Sequence, residues 1–237
     1  MKIVFSRQES LLPPGAQEKL AEASLLVAGL GGLGCVVAEA LARLGVGTLY
    51  LLDNSRVDLP DLNRQIFYTV EDLGRPKVEV AAERLERLLP GLKVNPLGAE
   101  IRPGFTLPDE ISGAIDALDN WTSRFILEET CWQKGIFLVH AGLNGLFGQI
   151  TSLVPGKSPR LSEIFAGTRD VESPPVVIPI CLVLGAIQAL EAVKLLLGVP
   201  ETLVGKLLLV DLTEYSFHLE LLKKPSEVRH GDSVKGA

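Results

Sequence analysis

Cysteine is scarce in this chain, and its three cysteines lie far apart. Cys35, Cys131 and Cys181 form no C-x-x-C pair among the 237 residues. Disulfide-dense domains and zinc knuckles need closely spaced, paired cysteines. Neither a disulfide framework nor a zinc site is therefore expected.

An excess of positive charge is also lacking. The formal net charge is -6 and the isoelectric point is near 5.2. Nucleic acids and anionic membranes attract basic surfaces, so binding to nucleic acid is not expected. The first ten residues, MKIVFSRQES, contain no apolar core of signal-peptide length, and we expect a cytoplasmic protein.

Residues 173–190 form a long stretch without a formal charge, close to the length of a membrane span. Three prolines interrupt its first half, and Glu191 and Lys194 follow on the same helical run. The pattern predicts a buried core helix rather than a membrane segment.

Strand-like apolar runs alternate with helical patterns through the first two-thirds of the chain, which is typical of βαβ units around a parallel sheet. The predicted strands cover 25–30, 48–53, 92–101, 114–119 and 136–142, and the predicted helices between them cover 33–44, 77–89 and 121–134. Pro96 indicates that the third strand lies at an edge or ends there.

The pattern changes after residue 142. A strand at 147–154 follows without room for a helix, so an antiparallel extension is expected. Residues 155–175 are long for a connection and predict a functional crossing; a helix at 180–197 and strands at 206–212 and 215–222 follow. We predict a doubly wound, Rossmann-like α/β fold with a mostly parallel sheet and an antiparallel C-terminal extension. One domain is expected over residues 1–224, followed by a polar tail at 225–237.

The stretch VAGLGGLGCVVAEALARLG, residues 27–45, contains the pattern G-x-G-x-x-G at Gly29, Gly31 and Gly34. It follows a predicted strand and opens a helix, which is the context that a phosphate-binding turn requires. Asp53 ends the second predicted strand, where a carboxylate can bind a ribose hydroxyl. These features fit NAD, FAD and ATP alike.

Two cations and one carboxylate favour ATP among these ligands. Arg64 and Lys77 are expected to return to the edge of the sheet that carries the glycine turn. Two cations suit a triphosphate whose leaving group must be neutralised. Asp119, at the end of the fourth predicted strand, can hold Mg²⁺ against phosphate oxygens. Either Asp119 or Asn120 could cap the helix that follows.

Other chemistry-bearing residues are interpreted as structural. His140 and His218 lie in apolar strand-like runs, where a hydrogen-bonded structural histidine is the better interpretation. Cys35 lies inside the glycine motif and Cys181 inside an apolar helix, so both are expected to be buried and unreactive.

The ordered set of motifs resembles the MoeB/ThiF/HesA family of ubiquitin-activating-like adenylyltransferases. The motifs are, in chain order, GLGGLG at 29–34, Asp53, LNRQ, RPKVE, DN-x-x-x-R at 119–124 and GAIQALEAVKLL. The resemblance covers residues 5–222, and the combination is far more specific than any single motif.

The resemblance implies ATP- and Mg²⁺-dependent adenylation of the C-terminal glycine carboxylate of a small ubiquitin-like sulfur-carrier protein that ends in two glycines. It also implies a homodimer. Carried over by position, the glycine loop with Gly29, Gly31, Gly32 and Gly34 would hold the phosphates.

The resemblance assigns the remaining roles to five residues. Asp53 would bind the ribose, and Arg64 and Lys77 would bind the triphosphate. Asp119 would hold the metal ion. Arg7, in the string FSRQ at the amino-terminal arm, would reach the ATP of the other subunit.

The chain departs from the family pattern in three places. By position Asp61 would belong to the nucleotide-binding residues, but many members have asparagine there, and a carboxylate near phosphates is repulsive unless it binds metal. The C-x-x-C pairs of zinc-bearing members are missing, so no zinc is expected. The crossover reads VESPP at 171–175 instead of carrying a cysteine, so a covalent thioester or persulfide step is not expected there.

Sulfur-carrier adenylation is therefore the predicted function, and three alternatives stay open. One is adenylation of another acceptor, such as a tRNA base or a peptide carboxylate. An NAD-dependent dehydrogenase would explain the glycines but would leave Arg64, Lys77 and Asp119 without a purpose. The third is a nucleotide- or carrier-binding module without turnover, which Asp61 and the missing cysteines suggest.

Overall fold

The computed structural model describes residues 4–89, 91–170 and 174–222. Its strands are β1 Ser24–Ala28, β2 Thr48–Leu52, β3 Lys93–Leu97, β4 Gly113–Asp116, β5 Phe137–Asn144, β6 Phe147–Leu153, β7 Lys206–Asp211 and β8 Ser216–Leu221. They form one sheet in the order β3-β2-β1-β4-β5-β6-β7-β8. Strands β1 to β5 pair in parallel, and β6, β7 and β8 are added antiparallel. The predicted fold class is confirmed.

Helices cover both faces of this sheet. They are α1 Ser6–Glu9, α2 Ala16–Glu22, α3 Gly32–Leu44, α4 Lys77–Leu88, α5 Trp121–Lys134, α6 Leu161–Ile164 and α7 Ile178–Leu197. Two short 3-10 turns, Leu59–Asn63 and Val70–Asp72, lie in the long connection between β2 and α4.

Strand β1 shows why the sheet is apolar on both sides. Leu25 and Val27 belong to one buried cluster, which includes side chains of α3, α4 and α7. Leu26 and Ala28 point to the opposite cluster, which includes side chains of α5 and α6. Successive side chains of a strand alternate between faces, so a central parallel strand reads as a continuous apolar run.

Helix α7 has the length and hydropathy of a membrane span, and within the described residues it is the one helix that does. Half of that stretch is buried inside the protein. It packs closely along α3, since a Cβ atom built on Gly185 would lie 2.8 Å from Cβ of Val36. Pro179 lies in its first turn, where a missing N–H is tolerated. The helix therefore forms part of the core, as expected, and begins at Ile178 rather than at residue 180.

Several predicted boundaries were wrong. The fourth strand ends at Asp116 instead of residue 119, because Asp116 Oδ1 accepts a hydrogen bond from Leu118 N at 3.1 Å and turns the chain. The third strand is shorter than predicted, but it pairs only with β2 in the described structure, which confirms the edge position indicated by Pro96. Helices α1, α2 and α6 were not predicted. The predicted tail at 225–237 lies outside the described residues.

Candidate nucleotide site

A cavity of about 1280 Å³ opens at the carboxyl ends of the parallel strands. Open α/β sheets bind ligands at this edge. Its wall includes Gly29, Gly31, Gly32, Asp53, Asp61, Arg64, Lys77 and Asp119. The fold therefore brings together the predicted site residues, except Gly34, which lies behind the loop, and Arg7.

The glycine loop is shaped by close backbone contacts. Gly29 has φ +91°, a conformation that L side chains rarely adopt, and a Cβ atom on Gly29 would lie 2.5 Å from the carbonyl oxygen of Ala117. A Cβ atom on Gly34 would lie 1.8 Å from the carbonyl oxygen of Gly29. Gly31 is the residue before α3, and a Cβ atom on it would meet the side chain of Gln65 at an ordinary contact distance of 4.0 Å. The loop therefore presents bare backbone and the N-terminus of α3 to the cavity, as a phosphate site requires.

Asp53 connects the end of β2 to this loop. Its Oδ2 atom accepts a hydrogen bond from Leu30 N at 2.7 Å. Its Oδ1 atom accepts hydrogen bonds from the backbone and the hydroxyl of Ser55, at 2.8 and 2.5 Å. Asp53 thus holds the glycine turn in place while it lines the cavity.

The two predicted phosphate-binding cations meet at one carboxylate. Lys77 is buried, and its Nζ atom lies 3.1 Å from Oδ2 of Asp61. Arg64 Nη2 lies 3.8 Å from Oδ1 of Asp61. Arg64 Nη1 also donates to Pro60 O at 2.7 Å and to Asn63 Oδ1 at 3.0 Å. Both cations therefore lie on the cavity wall and are not separate, solvated surface charges.

Asp119 is an exposed carboxylate at the cavity wall. The helix cap is Asn120, whose Oδ1 accepts from Ser123 N at 2.8 Å, so Asp119 is not used as the cap. Over residues 4–89, 91–170 and 174–222, no group of three or more His, Cys, Asp or Glu side chains is arranged to hold a metal ion. A single carboxylate fits Mg²⁺, which takes its other ligands from phosphates and water.

A buried charged cluster adjoins the cavity through Arg124, and its pairing was not predicted from the sequence. His140 Nδ1 lies 2.6 Å from Oδ2 of Asp116, and both side chains are fully buried. Arg124 Nε lies 3.6 Å from Oδ1 of Asp116, and its guanidinium lies 4.8 Å from the ring centre of Trp121. Asp116 and Arg124 stand in DALDNWTSR on either side of Asp119, which was the available signal.

The structural interpretation holds for His140, which is buried and hydrogen-bonded to Asp116, but not for His218. Burial lowers the pKa of His140, against the opposing effect of Asp116, and so favours the neutral ring. Its Nε2 atom has no hydrogen-bond partner in the part of the chain that the structure describes. His218 is exposed on β8 at the rim of the cavity, so it is not a buried structural residue.

The cysteines are buried as expected. Cys35 Sγ donates to Leu30 O at 3.3 Å, and burial raises the pKa of this thiol to about 12. Burial also raises the pKa of the Cys181 thiol, which lines the cavity next to Gly32. Both thiols are therefore packing groups and poor nucleophiles at neutral pH.

The crossing segment is anchored to α5 beside the cavity. Asp170 accepts hydrogen bonds from Trp121 N and from Thr122 N and Oγ1, the last at 2.5 Å. The ring of Phe165 lies 5.1 Å from that of Trp121. Of residues 155–170, Asp170 alone lines the cavity, and residues 171–173 lie outside the described ranges. A functional crossing over the cavity stays a prediction.

Arg7 lies outside the wall of this cavity. It is exposed on α1, while its neighbour Gln8 donates to Leu44 O at 2.9 Å and thereby attaches the arm to α3. The predicted reach of Arg7 to a second subunit stays a prediction.

The antiparallel strands extend the cavity wall as an open surface. Phe147 on β6 pairs with Asp211 on β7, and Leu209 pairs with Gln149 on one side and with His218 on the other. These partners share one face of the sheet, and all five line the cavity. Phe147 is 55% exposed, so an apolar side chain stands uncovered next to the site.

Comparisons with known proteins agree with these observations. The sequence profile of the ThiF family matches residues 5–229. The chain is 37% identical over 217 residues to the sulfur carrier protein ThiS adenylyltransferase of Escherichia coli (strain K12), covering 87% of this chain and 86% of that protein. It is 34% identical over 217 residues to the SAMP-activating enzyme E1 of Haloferax volcanii, with 86% and 78% covered. For the molybdopterin-synthase adenylyltransferase of Escherichia coli the identity is 33% over 218 residues, with 88% and 87% covered.

Solved structures share the fold. The crystal structure of E. coli MccB with MccA-N7isoASN aligns with a TM-score of 0.80 at 22% identity, covering 89% of this chain and 68% of that chain. The crystal structure of PaaA aligns with a TM-score of 0.79 at 22% identity, covering 94% and 83%. At this level of identity the likeness concerns the fold alone.

Proposed function

The chain belongs to the ThiF family and is an adenylyltransferase, and from this premise we propose that it uses ATP and Mg²⁺ to adenylate the C-terminal glycine carboxylate of a small ubiquitin-like sulfur-carrier protein. The proposal includes no zinc and no catalytic cysteine in the crossing segment. The observation that carries it is the single cavity that joins the glycine loop, Arg64, Lys77 and Asp119.

ATP would lie along this wall with its phosphates on the glycine loop. The bare backbone at Gly31 and the N-terminus of α3 would receive phosphate oxygens. Asp53 retains acceptor capacity for a ribose hydroxyl while it holds Leu30. Asp119 would hold Mg²⁺, and the bound ion would supply additional neutralisation of phosphate charge.

The reaction needs positioning and charge neutralisation more than it needs a protein nucleophile. A carboxylate oxygen of the carrier bonds to the α-phosphorus of ATP, and the bond from that phosphorus to the oxygen bridging to the β-phosphate breaks. The electron pair leaves with pyrophosphate. Because both reactants are anions, Lys77 and Arg64 would reduce their repulsion and receive the leaving group. The buried, unreactive thiols of Cys35 and Cys181 agree with this route.

The carrier would dock on the open face of the antiparallel strands. The uncovered side chain of Phe147 and the half-exposed Leu209 offer apolar contact beside the cavity. Strand β8 pairs with β7 alone within the described residues, so its outer edge is available to another strand. A flexible glycine tail could then pass beneath the segment that Asp170 holds on α5.

A homodimer forms part of the proposal. Arg7 is exposed and remote from the wall of its own cavity, which agrees with a role in the cavity of the partner subunit. Two such arms in a symmetric dimer would complete two equivalent sites.

A second candidate is a nucleotide-binding module without turnover. It is favoured by Asp61, which already neutralises Lys77 at 3.1 Å. In that case the cavity would bind MgATP, but no pyrophosphate would form.

Carrier-dependent exchange of pyrophosphate into ATP separates these functions. Purified protein, MgATP and labelled pyrophosphate are incubated with a small ubiquitin-like protein ending in two glycines, and with the same carrier lacking those glycines as the control. The proposal expects exchange only with the intact tail. Binding of MgATP without exchange with any such carrier would favour the module, and exchange with a free peptide or a tRNA instead would identify another acceptor.

A further inference from the structure

One carboxylate contacts both cations that the proposed function assigns to the phosphates. Asp61 is 8% exposed and lies between Lys77 and Arg64, 3.1 and 3.8 Å from their nitrogen atoms. The Nζ atom of Lys77 also lies 5.9 Å from the ring centre of Tyr68. The cation charge of this wall is therefore partly neutralised before any nucleotide arrives.

The local turn does not need a charge at this position. Asp61 closes the turn by accepting a hydrogen bond from Asp58 N at 3.0 Å, which an amide oxygen can also do. Gln65 Nε2 donates to Asp61 Oδ1 at 2.6 Å, and Gln65 Oε1 has no partner within the described residues. In an Asp61→Asn protein, rotation of the Gln65 amide could therefore satisfy the new N–H group.

The next turn contains a matched carboxylate. Asp72 accepts a hydrogen bond from Thr69 N at 3.0 Å, in the same position of a capping box as Asp61. It pairs with Arg75 and Arg84, at 3.2 and 2.9 Å, and none of these three residues lines the cavity. Capping therefore explains both aspartates, but it does not explain why Asp61 places its charge on the cavity cations.

We propose that Asp61 competes with phosphate for Lys77, so that it weakens the binding of pyrophosphate and promotes its release after adenylation. This inference rests on the proposed function. Pyrophosphate gains a negative charge when the bond to the α-phosphorus breaks, and like charges at short range repel strongly in a partly buried site. In the proposed function Asp53 would also hold ATP through its ribose, a contact that pyrophosphate lacks. Asp61 therefore acts mainly on the product.

Calorimetric titration with magnesium pyrophosphate and with MgATP tests the proposal without a carrier. Asp61→Asn is expected to bind pyrophosphate about tenfold more tightly than the wild type, with a smaller gain for MgATP. Asp72→Asn, the matched control, is expected to bind both like the wild type. Thermal melting shows whether each variant is folded, and Asp61→Ser, which keeps an oxygen acceptor, serves as a second variant.

A double-mutant cycle shows whether the effect passes through Lys77. In a Lys77→Met background, Asp61→Asn is expected to lose most of its gain in pyrophosphate affinity. An undiminished gain would contradict competition for Lys77.

The two proposals fail in different ways. If the wild type does not bind MgATP, the proposed function fails. If the wild type binds MgATP but folded Asp61→Asn and Asp61→Ser bind pyrophosphate no more tightly, the inference about Asp61 is overturned. Loss of folding in both variants would show that the fold requires this carboxylate, and it would overturn the inference as well.

Discussion

Two turns in the connection between β2 and α4 use the same local chemistry. In Leu59–Asn63 and in Val70–Asp72, an aspartate accepts the backbone N–H of the residue before the turn at 3.0 Å. Asp61 then pairs with a buried lysine on the cavity wall. Asp72 pairs with two half-exposed arginines on the outer surface.

The difference between the turns lies in their tertiary partners. Burial raises the pKa of Asp72, but hydrogen bonds from Thr69 and Arg84 outweigh this effect and hold the pKa below its ordinary value of 3.8. That carboxylate serves the stability of the connection. Asp61 performs the same local task and in addition determines the charge that a ligand meets. One capping pattern can therefore serve folding alone or folding together with binding, depending on what lies across from it.

The largest contrast is expected when the cation of each pair is removed. Lys77→Met should lower kcat/KM of carrier-dependent pyrophosphate exchange by about 100-fold, because the leaving group loses a preorganised cation. Arg84→Met, at the other turn, should leave exchange unchanged because Arg84 lies outside the cavity wall. If both variants lost the same kcat/KM, the cation paired with Asp61 would have no special role in the reaction.

A smaller contrast concerns stabilisation by ligand. Saturating pyrophosphate should stabilise Asp61→Asn by about 1.4 kcal/mol more than Asp72→Asn, which is the linkage equivalent of tenfold tighter binding. Denaturant unfolding with and without magnesium pyrophosphate measures this difference. If pyrophosphate stabilised both variants equally, Asp61 would have no more influence on pyrophosphate binding than Asp72 has.

The smallest expected effect is on acid stability. Because the folded pKa of Asp72 lies below 3.8, its contribution is fully present above that pH and is lost as the pH falls through the folded pKa. Between pH 6 and pH 3, Asp72→Asn should therefore lose less unfolding free energy than the wild type, by roughly a few tenths of a kcal/mol. Unfolding curves collected between pH 3 and pH 6 measure this slope, and an unchanged slope would contradict a lowered pKa.

The sequence was sufficient for features that depend on local patterns. The alternation of apolar strands with helices predicted the parallel part of the sheet. The connection after residue 142 is too short for a helix, and this predicted the antiparallel part. The glycine spacing located the turn at Gly29, and the apolar helix around Cys181 predicted its burial. Such features arise within one or two neighbouring elements.

Features that depend on distant partners were missed. Asp116 and His140 come from neighbouring strands and meet only after the sheet has formed. The pairing of Asp61 with Lys77 depends on the path of a connection that carries no strong apolar period. Helices α1 and α6 have four residues each, too few for a period to be visible.

The contact between Arg124 and Trp121 has a practical optical consequence. Trp121 lies in the cavity wall with a guanidinium 4.8 Å from its ring centre and an imidazole at 5.8 Å. The other of the chain's two tryptophans, Trp132, lies near the opposite end of α5 beneath Arg160. Indole emission responds to nearby charge and water, so Trp121 gives the cavity an intrinsic fluorescence reporter, with Trp132 as a reference on the same helix.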